Sequence, residues 1–109
     1  MTNLIYLVGR LSNDPIIKSL SDDEKVVIVN VAVPKQIKNR DGTYSTDIIP
    51  CKMYGAVAKN VCEHCKTDDL VGIKGRIQIV QRETDLDNGN NIIEIVVDKF
   101  TYLSSGKEN

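Results

Sequence analysis

The sequence predicts an all-β fold, a five-stranded Greek-key barrel with one helix between the third and fourth strands. Three observations predict it. Apolar residues rich in Val and Ile recur with period two, or in short runs, over five segments. Gly, Asn, Asp and Pro punctuate the gaps between them. One further segment, after the third strand, switches to the spacing of a helix.

The five strand segments are NLIYLVGRL (3–11), KVVIVNVAVP (25–34), YSTDIIPCKMYG (44–55), LVGIKGRIQIV (70–80) and NIIEIVVDKFTYL (91–103). The first pair turns through SNDPIIKSLSDDE, the second through KQIKNRDGT and the last through QRETDLDNGN. Asp41-Gly42 and Asn88-Gly89 are dipeptides suited to tight reversals. In AVAKNVCEHCK, residues Val57, Ala58, Val61, Cys62 and Cys65 fall on one helical stripe. Strand, strand, strand, helix, strand, strand is the order of the OB barrel, and it fits a sandwich or a parallel sheet less well. Gly72 and Gly75 sit inside the fourth strand, where a tightly curled barrel needs a bend or a bulge.

Alternation also assigns faces. In the third strand Ile49, Cys51 and Met53 point to the core, and Ile48, Lys52 and Tyr54 point outward. Leu4 to Val8 and Val26 to Val29 offer apolar side chains to both faces. A second copy of the chain, or the chain's own loops, must cover the outer one.

At 109 residues and 41% hydrophobic the chain is one domain with a small core. Residues 1–104 form that domain, and 105–109 a short polar end. No apolar run approaches the roughly 20 residues of a bilayer span, and the N-terminus lacks the pattern of a signal peptide. The expected location is the cytoplasm. Three cysteines, an odd number at irregular spacing, point to reduced thiols.

Catalysis finds no support in the residues. The chain has a single His, no nucleophile arrangement around it, and neither GxxxxGK[ST] nor GxGxxG. The CEHC of 62–65 with Cys51 could supply four zinc ligands, but on a helix Cys62 and Cys65 share a face that His64 does not. Three thiols acting as small core residues is the better reading, so no metal and no cofactor are expected.

Binding remains. Single strands of nucleic acid are held by basic residues along the phosphates and by rings on which bases stack. The net charge of -1 and a pI near 5.8 are acidic for such a protein. Locally the balance differs. Lys35, Lys38, Arg40, Lys52 and Lys59 face only Asp41 and Asp47 between residues 35 and 60. The acid gathers elsewhere, at Asp22, Asp23 and Glu24 and at Glu83, Asp85 and Asp87.

Five motifs occur in order: VGRLSNDP, VNVAVPKQIKNRDG, TDIIPCKMYGAVAKNV, LVGIKGRIQ and EIVVDKFTYL. Over nearly its whole length the chain thereby resembles the bacterial single-stranded DNA-binding proteins, the SSB family. That resemblance implies an OB fold without enzymatic activity, assembled as a homotetramer or, as the runner-up, a dimer. It implies binding of single-stranded DNA without sequence preference in replication, recombination and repair. The family's basic positions correspond to Lys35, Lys38 and Lys18, and its arginines to Arg10 and Arg76, which serve the fold or the DNA. Lys52, on the outward face, joins them. The family's base-stacking positions are occupied here by Ile37, Ile48, Tyr54 and Arg82, so one ring of four is kept. Tyr44 and Tyr102 match no stacking position of the family. At about 1 to 3 kcal/mol per stack, the expected binding is weak to moderate and strongly dependent on salt.

The family usually continues into a Gly- and Pro-rich linker with an acidic tip that recruits partner enzymes. This sequence stops at LSSGKEN. A shortened relative of the kind that phages and mobile elements carry, recruitment through another surface, and truncation all remain open. The alternative function is that of a protein-interaction or primosome-accessory module with weak DNA binding.

Overall fold

Alternation along the third predicted strand appears directly in the burial of its side chains. Cys51 and Met53 are fully enclosed, whereas Ile48, Pro50 and Tyr54 face outward. This is a computed structural model, and it describes residues 1–19, 25–81 and 91–106. The strands are β1 (Ile5–Leu11), β2 (Ile16–Ser19), β3 (Lys25–Lys38), β4 (Tyr44–Tyr54), β5 (Leu70–Gln81) and β6 (Asn91–Ser104), with helix α1 (Gly55–His64) between β4 and β5.

Pairing runs β1, β5, β6, β4, β3 and back to β1, which closes a five-stranded barrel. Every pair is antiparallel except β4 with β6. The closure is narrow on two sides. Arg10 and Leu11 pair with Ala32 and Val31, and Cys51 and Lys52 pair with Ile95 and Val96.

The five predicted strands are all present, and the structure adds β2, which the sequence reading placed within a turn. β2 lies along the same edge of β3 as β1, with Ile16 to Ser19 opposite Ile28 to Lys25. Pro15 explains the break: it cannot donate to a ladder. The gap is filled by polar groups, as the Ser12 N–H donates to the Asn30 carbonyl at 2.8 Å and the Asn30 amide to Asn13 Oδ1 at 3.0 Å.

The core gathers Val27, Val29 and Val31 of β3 with Cys51, Met53, Val71 and Ile73, and Ala58 and Val61 of α1 close one end. Val57, Cys62 and Cys65 pack against that cluster, so the predicted helical stripe is the buried one. Burial pushes the Cys51 thiol up to about 11. Gly75 stands at a register shift between β5 and β6, and a Cβ there would lie 2.2 Å from the Val96 carbonyl oxygen. Only glycine fits. Gly42, at φ +88°, turns the chain between β3 and β4 as Asp41-Gly42 predicted.

The apolar outer face of β1 is bare. Tyr6 and Val8 are exposed, and Tyr6 and Leu103 flank the open backbone of Gly72. Val26 and Val27, in contrast, are covered within the chain. Among the described residues no helix is long and apolar enough to cross a membrane.

Candidate nucleic-acid interface

Outward-facing side chains of four barrel strands and β2 line up in rows, because register partners in a sheet share a face and stand about 4.8 Å apart. One row runs Ile16, Ile28, Lys52, Val96, Arg76, and a second Lys18, Val26, Tyr54, with Val96 and Val26 buried between their more exposed neighbours. Lys18 and Tyr54 are two strands apart, roughly 10 Å, as are Lys52 and Arg76. Along β4 the same face carries Tyr44, Thr46, Ile48, Pro50, Lys52 and Tyr54. Tyr54 is 45% exposed and Ile48 53%. Lys18, Ile48, Lys52, Tyr54 and Arg76, chosen from the sequence, therefore share one surface.

The remaining candidates lie elsewhere. Beyond the barrel β3 and β4 continue as a two-stranded arm, in which a register shift separates Pro34 from Lys38. Lys35 Nζ is 2.8 Å from Asp47 Oδ1, and Asp47 shares the parity of the core-facing Ile49 and Cys51. Lys35 is thus on the reverse of the arm, and Ile37, within the register shift, is exposed. Lys38 pairs in register with Tyr44 and returns to the front. Arg82 lies outside the described residues, as do the acidic positions 22–24 and 83–87.

Electrostatically the face is quieter than its lysines suggest. Lys52 is ion-paired and hydrogen-bonded to Glu94, whose second oxygen accepts from Gln78 Nε2 at 3.2 Å. Arg76 is paired with Asp98. The Lys52 hydrogen bond, aided by that of Gln78 and opposed by desolvation, holds the Glu94 carboxyl below its ordinary range. No ion pair forms at Lys18 or Lys38 among the described residues. Arg10 serves the fold, since its guanidinium donates to the Asp68 carbonyl at 3.0 Å.

Sequence reasoning passed over Tyr44. Its signal was available in YSTDIIPCKMY, where Tyr44 has the parity of Ile48, Lys52 and Tyr54. Tyr44 falls at no stacking position of the family, so parity alone points to it.

A barrel closed in this order, with a helix after its third barrel strand and one outer face carrying rings and cations, defines a protein of the OB class. The profile of the Single-strand binding protein family matches residues 2–103, and the chain belongs to that family. Among curated relatives it is 35% identical over 107 residues to Single-stranded DNA-binding protein 1 of Lactococcus lactis subsp. lactis, covering 98% of this chain and 71% of that one. Identity to Single-stranded DNA-binding protein B of Bacillus subtilis is 31% over 103 residues, covering 94% and 91%. With Single-stranded DNA-binding protein 1 of Clostridium acetobutylicum it is 33% over 108 residues, covering 97% of both chains.

Proposed function

We propose that this chain binds single-stranded DNA without sequence preference, in replication, recombination and repair, and acts by binding rather than by catalysis. The observation that carries the proposal is the shared outer face of Lys18, Ile48, Lys52, Tyr54 and Arg76 on a barrel of this family. Tyr54 offers a stacking plane, Ile48 an apolar one, and the cations offer contacts to phosphates. Lys38 extends the face along the arm, while Lys35 and Ile37 are contacts that a strand wrapping past the arm would reach; Arg82 is proposed as a further contact because it occupies a stacking position of the family. The working unit is residues 1–104, in the cytoplasm.

The unit assembles with copies of itself, as a tetramer or else a dimer. Leu4, Tyr6 and Val8 support this, because an apolar strand face of that kind needs a cover. Titration of labelled oligo-dT at low and at physiological salt tests the proposal. Binding at low salt that weakens steeply as salt rises is expected; no detectable binding at low salt refutes it.

The pairing of Lys35, Lys52 and Arg76 with carboxylates favours a second reading, a module that docks on replication proteins and holds DNA weakly. Capture of such proteins in a pull-down supports it, and tight binding of oligonucleotide alone removes the need for it.

A further inference from the structure

We propose that Tyr44 and Lys38 form a second stacking site, for a base and its adjoining phosphate in single-stranded DNA, at the opposite end of the face from Tyr54. The proposal rests on the reading of that face given above.

Position is the first argument. Tyr44 and Tyr54 share the outer parity of β4 and are ten residues apart, roughly 33 Å at about 3.3 Å per residue. One barrel of this class covers about 4 to 16 nucleotides, so a strand laid along β4 reaches both rings. Ile48 stands between them as an apolar step.

Chemistry is the second. Tyr44 is 50% exposed on an arm that projects beyond the barrel. Lys38, its register partner, places Nζ 6.0 Å from the ring centroid. That is the outer limit of a cation–π contact, so the ammonium is loosely held and free to turn to a phosphate. Lys38 also differs from Lys35, Lys52 and Arg76 in having no carboxylate ion pair among the described residues.

Preorganisation is the third. The turn behind the ring is closed by the Asn39 N–H to the Thr43 carbonyl at 2.8 Å and the Gly42 N–H to the Asn39 carbonyl at 3.1 Å. Asp41 Oδ1 accepts from the Thr43 N–H at 3.0 Å and its hydroxyl at 2.6 Å, and the Asn39 amide donates to Ser45 Oγ at 3.1 Å. These bonds fix the strand ends that carry Lys38 and Tyr44, so little ordering is left to the moment of binding. Asp41 and Asp47 each lie three positions from Tyr44; the carboxylate of Asp41 is engaged by Thr43 and that of Asp47 by Lys35.

The test uses the full chain and a dT probe of about 15 nucleotides, near the upper end of the span of one barrel. Tyr44→Ala is expected to weaken binding about 5- to 150-fold, the range for losing one stacked base. Tyr44→Phe keeps the ring and should bind within about twofold of the parent. In a Tyr54→Phe background, quenching of tyrosine emission by dT should persist and then fall when Tyr44→Phe is added, Tyr6 and Tyr102 being the emitters left. Circular dichroism establishes that each variant is folded. If Tyr54→Ala weakens binding but folded Tyr44→Ala binds like the parent, or Tyr44→Phe leaves the quenching undiminished, the second site is refuted and the face stands. If the parent itself does not bind dT at low salt, both fall together.

Discussion

Replacing Glu94 by Gln should make the protein less stable and a tighter binder of single-stranded DNA at once. Lys52 and Glu94 form a partly covered pair, their side chains 34% and 14% exposed, so the ion pair sits between surface and interior. Exposed pairs contribute about 0.2 to 1 kcal/mol, and the cover over Glu94 puts this one near the top of that range. About 1 kcal/mol lowers the melting temperature by roughly 4 to 8 °C in a domain of this size. The same carboxylate competes with any phosphate for Lys52. Without it, a phosphate gains the cation with no exchange of partners, worth about fivefold in affinity at low salt. Salt dependence sharpens the test, because each newly available cation adds about -0.7 to the slope of log K against log salt for a single strand. Thermal melts and oligo-dT titrations over a salt series read both effects. A folded Glu94→Gln protein that binds no more tightly, with the slope unchanged, would show that Lys52 does not meet DNA.

Three further expectations follow from the same structure. Gly75→Ala drives a methyl into the Val96 carbonyl, so chemical denaturation should show a loss of about 1 to 3 kcal/mol or more, and a neutral result would contradict the close approach. Glu94 and Asp14 both have lowered pKa values, Glu94 chiefly through the Lys52 hydrogen bond and Asp14 chiefly through the Thr67 backbone N–H. The stability each supplies is complete above its ordinary value of 4.5 or 3.8 and disappears as pH falls through the lowered folded value. Melting temperature should therefore hold level down to about pH 5 and decline below it; a decline that begins near neutrality would point to other groups. If copies assemble through the bare face of β1, Val8→Glu places a charge there, and sedimentation should report a multiple of 12.1 kDa for the parent and the mass of one chain for the variant.

What the sequence disclosed depended on how far apart the interacting residues lie. The alternation in residues 44–54 and the helical stripe from Val57 to Cys65 are local patterns, and the structure reproduces both. β2 escaped notice because four residues bracketed by Pro15 and an acidic run look like a turn until β3 provides an edge. β3 was expected to end at Pro34, yet it continues to Lys38, because an arm tolerates one residue without an N–H if a register shift absorbs it. Charge was the least legible property. A local excess of lysines around residues 35–60 gave no hint that Lys52 would meet Glu94, 42 positions away, or that Arg76 would meet Asp98. Counting charges along a chain measures composition, whereas the field at a surface depends on which charges the fold pairs.

The two narrow closures of the barrel give the molecule an uneven resistance to opening. β5 and β6 are zipped together from Leu70 to Gln81, but β1 meets β3, and β4 meets β6, over only two residue pairs each. Breathing should start at those seams, and amide protons there should exchange through smaller openings than those of the long ladder. Lys52 sits on one seam, directly opposite Val96. A strand of nucleic acid lying across that point would act as a clasp, slowing exchange at Cys51, Lys52, Ile95 and Val96 more than anywhere in the β5–β6 ladder.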